Sequence, residues 1–115
     1  MEAKKLKRGP ELASVVLGGK NPLVTEKAIT LFEYVAGQKT EQIRGFATTL
    51  ILPGQNFGRV RCQTPSTPRF LMETDLQEAV VVELVNPTAE ITWNNEIRFY
   101  ADDIVLSSED EVIDL

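Results

Sequence analysis

The sequence predicts an all-β domain with room for one short helix, a small β-barrel or sandwich whose simplest form is an OB-like barrel. Three observations lead there. About six to eight short runs of β-branched and aromatic residues are separated by turn residues every 8–12 positions or so. The chain has 115 residues, the size of one domain. Only 7% of those residues are aromatic, so one closed barrel buries them more simply than two packed sheets.

Taken in order, residues 1–10 read as a flexible basic N-terminus, residues 11–106 as a single β-rich domain and residues 107–115 as an acidic flexible tail. Residues 11–17 are β-branched enough for a strand, which Gly18-Gly19-Lys20-Asn21-Pro22 stops. Residues 25–37 admit two readings. Ala28, Leu31, Phe32 and Val35 recur at helical spacing, with Thr25 as a cap and Gly37 as a stop. Ile29, Thr30, Phe32, Tyr34 and Val35 are equally good strand formers, and Ala36-Gly37 can turn a hairpin into residues 40–46.

The chain is plainly β from residue 42. Residues 42–52 form a strand closed by Pro53-Gly54, and Gly54-Gln55-Asn56-Phe57-Gly58 reads as a hairpin turn. In residues 57–62, Phe57, Arg59 and Arg61 alternate with Gly58, Val60 and Cys62, a short strand with one charged face. A rigid Pro65/Pro68 loop follows, then a short strand over Phe70-Leu71-Met72. Residues 78–85, apolar on both faces, predict a buried central strand ended by Asn86-Pro87-Thr88. Residues 90–93 and 96–106 flank a tight turn at Asn94-Asn95.

Composition excludes several kinds of chemistry. The chain has no histidine, so neither a Ser–His or Cys–His nucleophile pair nor a typical catalytic zinc site can form. The single cysteine, Cys62, cannot close an internal disulfide and reads as a small core residue. No apolar run approaches the roughly 20 residues that span a bilayer, and the basic start leads into no secretory signal. These features point to a cytoplasmic protein that binds rather than catalyses, without metal or cofactor. A carboxylate-only enzyme would need Glu96, Asp102 and Asp103 to converge. Adjacent aspartates on a strand point to opposite faces, so a turn, a cap or an ion pair is the simpler reading.

Charge is unevenly spread along the chain. Residues 1–61 carry ten Lys/Arg against five Asp/Glu, whereas residues 62–115 carry two against twelve. Within the basic stretch, Arg44, Phe46, Phe57, Arg59, Arg61, Arg69 and Phe70 suit a nucleic-acid face, guanidinium groups pairing with phosphates and rings stacking on bases. The plainer alternative makes the phenylalanines core and the arginines a solvated face. Lys4-Lys5-Leu6-Lys7-Arg8 is either a phosphate-contacting arm or a solubilising end. Trp93 reads as core or barrel-end packing.

Val82-Glu83-Leu84-Val85-Asn86-Pro87, followed by Phe99-Tyr100-Ala101-Asp102-Asp103-Ile104-Val105, resembles the ending of the YdcP-like family, small proteins of integrative and conjugative elements. The resemblance spans residues 11–106 and favours a hairpin over a helix at 25–37. One member of that family is a helicase processivity factor. The resemblance therefore implies a non-enzymatic accessory of mobile-element DNA replication and conjugation. Its partners would be DNA, single-stranded by preference, a host helicase and the relaxase of the element. A protein–protein interaction module without nucleic-acid binding is the alternative.

Overall fold

The computed structural model describes residues 8–107. Its chain order is β1 (Arg8–Gly9), α1 (Pro10–Leu17), β2 (Leu23–Val24), β3 (Ile29–Val35), β4 (Gln38–Leu52), β5 (Gly58–Thr64), β6 (Val80–Val85), β7 (Thr88–Ile91), β8 (Ile97–Tyr100) and β9 (Asp103–Leu106). Single 3₁₀ turns at Pro53–Gln55 and Arg69–Met72 complete it.

The expected β-rich domain is present, and the pairing pattern explains how it closes. β4 pairs antiparallel with β5, and β5 pairs parallel with β8. β9 pairs with β6, β6 with β2, and β2 with β4. β8 and β9 are separated only by Ala101 and Asp102, whose amides donate to Gln63 O and Val85 O on the two flanking strands. They act as one bent strand that carries the sheet from β5 round to β6. β2 and β3 likewise run along β4 in succession, Leu23 opposite Ile51 and Ile29 opposite Ala47. Counted this way the barrel has five strands: three in antiparallel succession, the third parallel to the fifth, and the fourth returning to the first. That is the Greek-key connection of an OB-type barrel. β7 and β1 extend the sheet beyond β8.

The interior is built by alternation. Leu50 and Leu52 on β4 and Cys62 on β5 point inward with Val24, Val82, Phe99 and Ile104. Phe70, on the 3₁₀ turn between β5 and β6, fills the core and is fully buried.

Two expected strands are corrected. Residues 11–17 form helix α1, not a strand. Pro10 occupies the first turn, where its missing N–H is not needed, and Gly18 ends the helix in the left-handed region. Leu12, Ala13 and Val16 then fall on one helical face and pack into the core, outweighing the strand preference of Val15-Val16. Phe70-Leu71-Met72 is a 3₁₀ turn, because Pro68 sets the preceding backbone and its carbonyl accepts from Leu71 N–H. Residues 25–37 take the strand reading, with Ala36 and Gly37 both at positive φ in the two-residue turn. β6 lies between β2 and β9, but only Val82 of its residues is fully buried. Residues 8–10, expected in the flexible start, are structured, Arg8 pairing with Glu90. The remaining parts of the two terminal segments, 1–7 and 108–115, lie outside the described residues. Among those described, no helix is long and apolar enough to cross a membrane.

Candidate nucleic-acid interface

The parallel pairing of β5 with β8 creates a cationic groove from residues distant in sequence. On β5, Val60 and Cys62 face the core side, so Arg59 and Arg61 face out. Arg61 lies directly opposite Thr49 on β4 and Arg98 on β8. Arg98 lies opposite Glu90 on β7, and Glu90 opposite Arg8 on β1. Directly opposed residues share a face, so Thr49, Arg61, Arg98, Glu90 and Arg8 form one row across the outer sheet. Arg59, Arg61 and Arg98, with Thr49, Asn95 and Glu96, line a groove of about 610 Å³.

The carboxylates around this groove leave its charge largely available. Glu26 approaches Arg59 at 3.4 Å, but both side chains are well exposed. Such a pair is worth about 0–1 kcal/mol and gives way readily to a phosphate. Glu90 lies 4.0 Å from the Arg98 guanidinium and accepts a 2.7 Å hydrogen bond from Tyr100 Oη. The hydrogen bond to Tyr100, more than the nearby charges, raises the Arg98 pKa still further. Among the described residues no carboxylate lies within ion-pair distance of Arg61.

Two exposed aromatics stand at one end of the groove. Because β5 and β8 are parallel, the turn before β5 and the turn before β8 lie at the same end of the barrel. The first holds Phe57, 52% exposed at φ 62, and the second holds Trp93, 95% exposed. The Trp93 turn is well braced. Thr92 N–H donates to Glu96 O, Asn95 N–H to Thr92 O and Glu96 N–H to Thr92 Oγ1, while Thr92 Oγ1 also bonds Asn94. An aromatic ring held out on a braced turn retains its full apolar surface for a ligand.

Of the residues singled out from sequence, Arg59 and Arg61 line this groove, and Phe57 is exposed on the turn just before β5. Arg44 is exposed on the β3–β4 hairpin, where it is an extra residue between successive pairs. Phe46 is half-buried opposite buried Thr64, on the inward-facing register of β4. Arg69 lies against β9, its Nε 2.9 Å from Asp103 and its amide donating to the same carboxylate. Phe70 is core and offers no ring to a ligand.

Trp93, expected as core or barrel-end packing, is instead 95% exposed, and Arg98 was not singled out from the sequence. The signal for Trp93 was its position beside the Asn94-Asn95 turn, where a large aromatic has little interior to enter. Arg98 gave none, since its neighbour Arg61 is 37 positions away across a parallel pair. The three acidic residues do not converge: Asp102 accepts from Asn86 Nδ2 at 2.9 Å, Asp103 holds Arg69, and Glu96 sits on the groove rim. Burial pushes the Cys62 thiol up to about 12, which keeps it protonated and unreactive.

No family model matches the chain, and no curated protein matches it. Among solved structures, the chain is similar to SAG0934 from Streptococcus agalactiae, determined in solution by NMR. The TM-score is 0.58 and the identity 20%, over 95% of this chain and 99% of that one. At that identity the likeness shows a shared fold.

Proposed function

We propose that this protein binds single-stranded nucleic acid along the groove between β5 and β8, with Arg59, Arg61 and Arg98 on phosphates and Trp93 stacking on a base. The observation that carries the reading is the placement of three outward arginines at the end of the barrel where an almost fully exposed tryptophan stands on a hydrogen-bonded turn. Phosphate pairing and base stacking are the two attractions that sequence-tolerant single-strand binding uses. An OB-type barrel commonly binds oligonucleotides on the face of its second and third strands, here β4 and β5, and on the loop before its fifth, which flank this groove. The resemblance of the LVNP and ADDIV strings to a mobile-element family favours DNA. It also favours a role as a non-enzymatic, cytoplasmic accessory of element replication and conjugation, working with a host helicase on strands opened by a relaxase.

Trp93 is the chain's one tryptophan, so its emission reports directly on the site. Titration with an unlabelled thymidine oligonucleotide at low salt is expected to quench it. Trp93→Ala, followed by the anisotropy of a labelled oligonucleotide, should lose about 1–3 kcal/mol of binding, the usual share of one stacked base. Unchanged emission, together with no rise in the labelled oligonucleotide's anisotropy when the wild-type protein is added, would remove DNA contact from the proposal and leave the helicase as the direct partner.

A further inference from the structure

β3 and the first half of β4 project as a two-stranded arm. β5 accompanies β4 only as far as the Phe46–Thr64 pair, so residues 38–45 have β3 alone as a neighbour. Apolar side chains are exposed along the arm: Ile29 at 48%, Tyr34 at 67% and Val35 at 63%. A two-stranded ribbon of this kind is marginally stable in water by itself. Among the described residues β3 pairs only with β4, which leaves its other edge open.

That edge lacks the usual protections against strand addition. β3 contains no proline and no lysine, and Glu33 is its one charge. The register shifts between β3 and β4 all place the extra residues in β4: one between the partners of Leu31 and Phe32, and two more between the partners of Phe32 and Tyr34. The open strand is therefore the regular one.

Its sequence is also self-complementary. In an antiparallel pair centred on Thr30, Lys27 of each copy faces Glu33 of the other, Ile29 faces Leu31, and Ala28 faces Phe32. Lys27 lies two residues before β3, and with the strand extended through it on pairing, residues 27, 29, 31 and 33 would share one face, so that two symmetric ion pairs bracket four aliphatic side chains. Neither Lys27 nor Glu33 has an ion-pair partner among the described residues. We propose that a second copy of this chain docks on the open edge of β3, strand to strand about a two-fold axis at Thr30. The arm leaves the barrel at the end opposite Phe57 and Trp93, so this contact keeps both arginine grooves free, and it does not depend on what they bind.

Sedimentation velocity of the full chain from low to high micromolar concentration tests the contact, with circular dichroism to verify folding. The wild-type protein should show a monomer–dimer equilibrium. Lys27→Glu and Glu33→Lys each place like charges opposite one another at two positions. Each should weaken the dimer about tenfold or more. The double variant K27E/E33K, and an equimolar mixture of the two single variants, should both recover it. A chain that stays monomeric throughout would overturn the proposal, as would a dimer indifferent to either reversal or one the double exchange fails to restore.

Discussion

Thr48 and Cys62 face one another inside the barrel, from paired positions on β4 and β5. Both are buried, but their costs differ. The Cys62 thiol is a weakly polar group that behaves as a small apolar side chain. The Thr48 hydroxyl has no hydrogen-bond partner among the described residues, although the residue is fully buried. Desolvating a hydroxyl without a compensating bond costs about 1–3 kcal/mol in proteins. Valine has the same branched shape and the same preference for strands. Thr48→Val is therefore expected to stabilise the protein by about 1 kcal/mol, seen as a higher urea midpoint at an unchanged slope. A lower midpoint would mean that the hydroxyl has an ordered-water partner.

At the level of elements, what could be read in the sequence depended on how local the deciding interaction is. The β4–β5 hairpin follows from the strand formers of 42–52, the Pro53-Gly54 stop and the alternation after Phe57, all within 20 or so positions. α1 is harder, because Val15-Val16-Leu17 favours a strand by propensity while the deciding contact is tertiary. The last turn of α1 meets the Pro53–Gln55 turn, where Gln55 Nε2 donates to Val16 O at 3.0 Å. A Cβ on Gly54 would lie 2.4 Å from Leu17 O, a backbone atom that cannot move without shifting the helix. Gly54 thus serves the approach of two elements rather than a loop's flexibility. Gly54→Ala should displace α1 and expose part of the Leu12, Ala13 and Val16 face. A loss of about 2 kcal/mol or more is expected, since burying one large aliphatic side chain is worth about 1.5–3 kcal/mol. Hydrogen exchange should show the loss first in α1 amides, and protection unchanged there would mean the turn yields instead.

Across the whole molecule, the contrast between a basic first half and an acidic second half does not survive folding as two separate faces. The barrel brings Arg98 from the acidic half beside Arg59 and Arg61, and it ties Arg69 to Asp103. The sequence showed the excess of positive charge before residue 62 but not this pairing, because the parallel β5–β8 contact joins segments that no turn connects. With a formal net charge of −5, attraction to a polyanion must come from the local groove against the field of the rest. The salt dependence of binding then measures how many cations take part. Each phosphate neutralised on a single strand contributes about −0.7 to the slope of log K against log salt. Three groove arginines predict a slope of about −2, and Arg61→Ala should bring it to about −1.4, with a weaker complex at every salt concentration. Anisotropy titrations of a labelled single strand over a range of sodium chloride concentrations give both slopes. If the slope is the same with and without Arg61, the phosphate contacts lie elsewhere on the chain and the groove is not where the strand binds.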